Sequence, residues 1–312
     1  MPTQSEPAPR GEWAARTTDT SKRSVFGNYR AEGAPLSEPA CSEAMPQRAG
    51  AETGAPLQSA IDLAMARSFL HRLLAKAYED PMPETWRWLT QAQTIYALRA
   101  ANVCAGQSLL PSAEALINAL QPEAFESFLN AYLAAFGHAA RGSCPLNEIE
   151  YGDIKADPLF QPHRLADLAA FYRAFGLEVT PDAGERQDYL CLELEFMCVL
   201  AAKEAYAHER QLDSDQLAQC RDAQKKFLRE HLGRWTPAFA RRLAAATSDP
   251  ALRALAEFTR AFIESECVRF GVNPGSEELS LRPVDEAADR ACDSCGINNL
   301  PPGALSHPAS ST

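Results

Sequence analysis

From Ser59 onward the chain places apolar residues at helical spacing. Ile61, Met65, Phe69, Leu73 and Ala77 fall at i, i+4, i+8, and Leu70, Leu74 and Tyr78 widen the stripe, which predicts an amphipathic helix. Pro81 and Pro83 stop it, and Trp86, Leu89 and Tyr96 then predict a second, less regular helix. Ser112 is placed to cap a short helix through Leu120. Pro122 occupies a favoured first position ahead of Phe125, Phe128, Leu129, Tyr132, Leu133 and Phe136, with Gly137 as the stop.

A polar stretch with Gly and Pro, 142–162, interrupts this pattern. Helix resumes with Leu165, Leu168, Ala169, Tyr172 and Phe175 and ends at Gly176. A helix over about 186–209 carries Leu190, Leu194, Met197 and Ala201 on one face, with Cys191, Phe196, Cys198 and Leu200 beside them, a breadth expected of a central helix. Asp213 or Ser214 starts another toward Trp235, Thr236-Pro237 caps a short one, and Asp249-Pro250 opens the last, which Gly271 ends. No alternating run of Val, Ile or Thr is long enough for a strand. The pattern predicts an all-α fold, a single bundle of about nine helices over 58–272.

Composition adds the flanks. Seven of the 22 prolines lie in the first 57 residues, a segment rich in Gly, Ser, Thr, Ala and Glu with no apolar period. Such a segment buries too little surface to offset its ordering entropy, so 1–57 reads as disordered and 273–312 as a flexible tail. Thirty Lys+Arg against 41 Asp+Glu, a net charge of −11, is the wrong sign for holding nucleic acid. Glu193 and Glu195 interrupt the most apolar run, far short of the roughly 20 apolar residues of a membrane span. No apolar segment follows Arg16, Lys22 and Arg23 in the manner of a secretory signal, so the chain reads as a cytoplasmic protein. Nine irregularly spaced cysteines suit reduced thiols better than a disulfide framework.

Nucleotide-binding glycine loops, nucleophile elbows and zinc-protease helices are all missing from the sequence. The six histidines lack ligand spacing and read as surface or helix-end residues. Cys292-Asp293-Ser294-Cys295-Gly296 is half of a metal knuckle, with Cys144 or Cys267 as the remaining thiols to complete it.

The informative stretch is the middle. Glu148, Glu150 and Tyr151, the run Phe171-Tyr172-Arg173-Ala174-Phe175-Gly176, and Asp188, Tyr189, Glu193 and Phe196 gather carboxylates and aromatics around two loops. Acids beside aromatic surface suit a peptide with arginines followed by an apolar stretch. A helix pair with solvated acidic faces and a Phe/Tyr core is the alternative.

At these residues the sequence resembles the TorD/DmsD family of chaperones that mature molybdenum-cofactor oxidoreductases, and within it the accessory proteins of dimethylsulfide- and ethylbenzene-dehydrogenase-type enzymes. The resemblance rests on E-x-E-Y-G at 148–152, A-D-L-A-x-F-Y-R-A-F-G-L at 166–177 and E-R-x-D-Y-L-x-x-E-L-E-F-M at 185–197. It implies a TorD-like helical domain that catalyses no reaction and needs no cofactor of its own, with at most weak contact to the client's molybdopterin. It implies as partner a molybdopterin oxidoreductase catalytic subunit, bound through its twin-arginine leader or its unfolded body until the cofactor is inserted. Glu148, Glu150, Tyr151, Phe171, Tyr172, Gly176, Asp188, Tyr189, Glu193 and Phe196 are the positions it assigns to client binding or to shaping the hinge. The family commonly has Asp-His where this chain has Asp188-Tyr189, so a titratable imidazole is missing at that position. Two other readings stay open: a metal- or redox-sensing helical protein using Cys292, Cys295 and a third thiol such as Cys144, and a helical adaptor with no molybdoenzyme client. The oligomeric state is left open.

Overall fold

A computed structural model describes residues 54–137, 142–152, 160–179 and 184–282. Most of the N-terminal extension, the end of the C-terminal tail and the Cys292/Cys295 pair lie outside these residues, and so do the readings of disorder and metal ligation made on them. Among the described residues there are ten α-helices: α1 (Gly54–Tyr78), α2 (Pro83–Thr90), α3 (Ala92–Ala105), α4 (Leu110–Ala119), α5 (Phe125–Phe136), α6 (Phe160–Ala174), α7 (Leu190–Glu209), α8 (Ser214–Glu230), α9 (Leu232–Ala246) and α10 (Pro250–Arg269). The all-helical expectation holds, with two isolated antiparallel bridges in place of any sheet. No helix among them is long and apolar enough to cross a membrane.

Two helices form the axis. α1 and α7 pack along each other, and α7 is buried on nearly every side from Leu190 to Ala202, as its broad apolar surface predicts. α3 covers α1 and α4 packs against α10 and α3, while α8 lies against α7 and α9 against α10, and one continuous apolar cluster runs from Phe69 and Leu73 through Phe196 and Trp235 to Phe262. Asp213 and Asp249 cap α8 and α10 as expected, accepting from the Gln216 amide at 2.8 Å and the Leu252 amide at 2.9 Å.

Three boundaries depart from the sequence reading. The single helix expected after Pro83 is two, because Gln91 is extended and serves as both C-cap of α2 and N-cap of α3; Tyr96, read as an apolar anchor, is 59% exposed. The central helix starts at Leu190 rather than 186, since Asp188 and Tyr189 pair with the segment around Asn147. Ser112 does not cap α4; its hydroxyl donates to the Leu109 carbonyl inside the first turn.

A fourth departure organises the C-terminal end. Thr236-Pro237 does not start a helix but lies within α9. A proline there lacks the amide that would bond the carbonyl four residues back. The Gly233 carbonyl, so released, accepts instead from the Gly275 amide at 2.9 Å. Glycine is required at 275, because a Cβ would lie 1.8 Å from the Arg234 carbonyl oxygen. Gly233 itself lies where a Cβ would meet the Leu228 carbonyl at 2.5 Å and the Cys267 sulfur at 2.7 Å. Residues 273–282, read from composition as the start of a flexible tail, lie docked across α9 as a strap with one turn, at 277–278.

Candidate functional site

The sequence places Glu148 and Glu150 in one tight turn, the 3₁₀ segment Glu148–Glu150, and the fold then surrounds that turn. Asp188 holds it from one side. Its carbonyl accepts from the Glu148 amide at 2.9 Å, and its carboxylate takes the Ile149 amide at 3.1 Å, the Asn147 side-chain amide at 3.2 Å and both arms of Arg186 at 2.8–2.9 Å. A carboxylate capping a turn in this way explains why E-x-E-Y-G and R-x-D-Y-L occur together. Gly152 closes the turn at φ 120°, where a Cβ would also press on Arg234 at 3.3 Å.

Glu148 is fully buried and meets cations from three elements. Arg164 of α6 bonds it directly, Arg234 of α9 donates from Nη2 at 3.0 Å and Nε at 3.2 Å, and His231, between α8 and α9, donates from Nδ1 at 2.9 Å. The other ring nitrogen of His231 faces Asp167 at 3.2 Å, so the ring lies between two carboxylates. Burial alone would raise the Glu148 carboxyl, but the hydrogen bond and charge of His231, with Arg164 and Arg234, outweigh it and hold the group below its usual range. Arg164 also donates to the Glu230 carbonyl, satisfying an open acceptor at the end of α8. Spacing explains the convergence: Arg164, Asp167, Leu168 and Phe171 share one face of α6, and His231 and Arg234 are three apart.

Beneath this polar hub lies an aromatic layer. Phe171, Phe196, Phe227 and Tyr172 meet edge to face or tilted, with centroids 4.8–6.4 Å apart, and Tyr151 lies over Trp235 at 5.1 Å. Glu193 accepts from the Trp235 indole at 3.1 Å. Burial, and next the negative charge of Glu148, push its carboxyl well above the usual range, which favours the protonated form.

The fold thus brings nearly all the sequence-named residues into one region, and mostly into its interior. Glu148, Glu150, Tyr151, Tyr172, Asp188, Glu193 and Phe196 are buried; Phe171 and Tyr189 are partly buried; only Gly176, at φ 78° after α6, is exposed. The Phe/Tyr core of the alternative reading is present, but the acids are not solvated. Sequence reasoning missed their partners. His231 is at a helix end as expected but buried, and His71, also read as a surface or helix-end residue, is buried in mid-helix against Glu266.

A second buried network, unread in the sequence, ties four helices together. Arg67 of α1 bonds Glu266 of α10 at 2.8–2.9 Å, Glu204 of α7 at 2.7 Å and Gln224 of α8 at 2.5 Å. Arg221 and Arg269 complete the two carboxylates from the rim at 2.6 and 3.3 Å.

Of the metal candidates, Cys144 is buried, and burial raises its thiol above the usual range, which disfavours a ligating thiolate. Asp167, Glu230 and His231 bring ligand atoms within 4.8 Å of one another. Their charges are already met by protein: His231 bonds Asp167, and Arg229 reaches Glu230 at 2.6 Å. The six described cysteines are free thiols.

Glu195 offers a separate check on burial. Desolvation pushes its carboxyl up to about 7, with Lys76 opposing. A raised carboxyl pKa favours the protonated folded state, so its effect is lost stability as pH rises from the unfolded value near 4.5 to about 7. Glu195→Gln is therefore expected to match the parent near pH 4.5 and to exceed it at pH 8 by roughly 2 kcal/mol, allowing for its partial exposure. Urea midpoints at the two pH values measure this, and an equal offset at both would refute the assignment.

Against known proteins, residues 106–241 match the family described as nitrate reductase delta subunit, a span that holds the whole hub. Over 213 residues, 66% of this chain and 90% of the relative, the sequence is 28% identical to a perchlorate reductase assembly chaperone protein of Dechloromonas aromatica (strain RCB). Over 145 residues, 45% of this chain and 72% of the relative, it is 33% identical to a selenate reductase assembly chaperone protein of Thauera selenatis.

Proposed function

The chain belongs to the TorD/DmsD family of molybdoenzyme-assembly chaperones, and from that premise we propose that it acts in the cytoplasm on the catalytic subunit of a molybdopterin oxidoreductase, binding its twin-arginine leader, its unfolded body or both. Its role is assembly rather than catalysis, in line with relatives that are named as assembly chaperones. The observation that carries the reading is the match over 90% of the length of one such relative.

Within it, the buried hub has a positioning role. Glu148 and Asp188 spend their charges on Arg164, Arg186, His231 and Arg234, so they fix how α6, the α8–α9 junction and the loop before α7 sit together. Client contact falls to what this frame holds at the surface, near exposed Gly176 and partly buried Phe171, Tyr189 and Glu150's rim cations.

Deletion of the gene is expected to abolish activity and cofactor content in one molybdoenzyme of the cell, whose apo catalytic subunit co-purifies with this chain. Unchanged activity and cofactor content in every molybdoenzyme would overturn the reading.

A further inference from the structure

The strap across α9 does more than satisfy Gly233. Its last residues run antiparallel to the E-x-E-Y-G segment: the Gly152 amide donates to the Ser280 carbonyl and the Arg282 amide to the Glu150 carbonyl, each at 2.8 Å, around the Tyr151–Leu281 bridge. The opposite end of the same segment is already paired, through Leu146 and Glu148, with Asp188 and Leu190. Tyr151, extended just past the 3₁₀ turn, therefore presents a short pairing edge between the Glu150 carbonyl and the Gly152 amide, and 280–282 fill it.

The filling segment has a definite chemistry. Past the turn that the Leu279 amide closes onto the Ser276 carbonyl, the segment extends, and Leu279 and Leu281 turn toward the core while Ser280 faces out. The Arg282 guanidinium lies 3.7 Å from the Glu150 carboxylate, which Arg186 approaches at 3.6 Å from the other side. Backbone pairing supplies affinity at such an edge, and alternate side chains supply selectivity. The strap also walls an open groove of about 510 Å³ whose floor is Ala238, Ala245 and Ala246 of α9, with Arg241 and Arg242 beside them. The strap is held by a few backbone bonds, two half-buried leucines and rim ion pairs from Arg241 and Arg260 to Glu278 and Glu277 at 3.2 and 3.0 Å, contacts of the kind found at the low-stability end of a fold.

We infer that residues 279–282 are an autoinhibitory strap: they occupy in cis a strand-addition site on Glu150–Gly152 that takes, in trans, an extended client segment carrying an arginine next to alternating apolar residues. The inference rests on the chaperone reading and adds its regulation: the site is closed until a client segment displaces the chain's own Leu-Ser-Leu-Arg. Closure lowers apparent affinity by the fraction of molecules that are open.

Two full-length variants open the strap by independent means. Gly275→Val drives it off the Arg234 carbonyl without touching Glu150, and the pair Leu281→Asp with Arg282→Glu removes its anchors. The probe is a labelled synthetic peptide spanning residues 275–284, with a second peptide in which its arginine is glutamate as control. Both variants are expected to bind the first peptide at least about tenfold more tightly than the parent chain, to reject the control, and to show slowed amide exchange at Gly152 when bound. Affinities within twofold across the parent and both variants, or equal binding of the two peptides, would overturn the strap. That outcome leaves the chaperone reading standing, because the reading is decided separately by molybdoenzyme activity in the deletion strain.

Discussion

Replacing Glu148 by alanine is expected to destabilise the protein by about 3–5 kcal/mol, because it leaves the guanidinium groups of Arg164 and Arg234 facing one another without their shared anion and the buried His231 ring without its partner. In a domain of this size that loss lowers Tm by roughly 10 °C. The urea midpoint should fall with an unchanged denaturant slope, since the exposed area on unfolding is the same. Glu148→Gln keeps the shape and one acceptor and should lose less. The parent's carboxyl is held below its usual range, so its contribution is present above about pH 4.5 and is lost as pH falls. The gap between parent and alanine variant should therefore narrow on the acid side. A solvated acid facing a client would behave differently, costing under about 0.5 kcal/mol and affecting binding alone. A midpoint shift that small would return Glu148 to the surface.

That contrast marks where the sequence was legible. Helix positions were read from apolar spacing and caps: Asp213, Asp249-Pro250, Gly137 and Gly271 lie where their chemistry puts them, and α7 is central because it is apolar on almost every side. Boundaries failed where a long-range bond overrode local preference. Pro237 reads as a helix start, but a glycine 38 positions further on supplies the missing donor and lets α9 run through it. The site was legible as a set of residues and not as an arrangement. Glu148 and Asp188 look like solvated acids, because nothing local announces that Arg164, His231 and Arg234, up to 86 residues away, will converge on one of them. The usable signal was indirect: acids flanked by Ile149, Tyr151 and Leu190 lie in apolar company, and a buried carboxylate requires cations from elsewhere. The strap was misread for the complementary reason. Its composition is that of a tail, and what fixes it is the fit of Gly275 to a backbone that only the folded α9 presents.

The second large effect belongs to Arg67, whose place in the apolar stripe of α1 gave no hint of its role. Arg67→Met is expected to cost about 3–5 kcal/mol, because Glu266 and Glu204 are then buried side by side with only rim cations to offset them. Burial tends to raise the Glu266 carboxyl, but in the parent Arg67, and then the hydrogen bond from His71, hold it far below the usual range. In the variant that carboxyl rises instead. The variant recovers stability as pH falls toward about 4.5, and the parent loses its own only below that, so the gap between the two curves should narrow steadily on the acid side. Much of the single-variant cost is the stranded anion rather than the lost bonds, so Arg67→Met with Glu266→Leu should recover to within roughly 1–2 kcal/mol of the parent. Glu204 keeps Arg221 at 2.6 Å and Gln224 at 2.9 Å in that background, and burial, the largest influence on His71, holds its imidazole below its usual range, so no new charge is stranded there. Urea midpoints of the two single variants and the double close the cycle. Costs that simply add would mean that Arg67 and Glu266 contribute independently, and the four-helix clamp of α1, α7, α8 and α10 would then be a set of separate contacts rather than one buried unit.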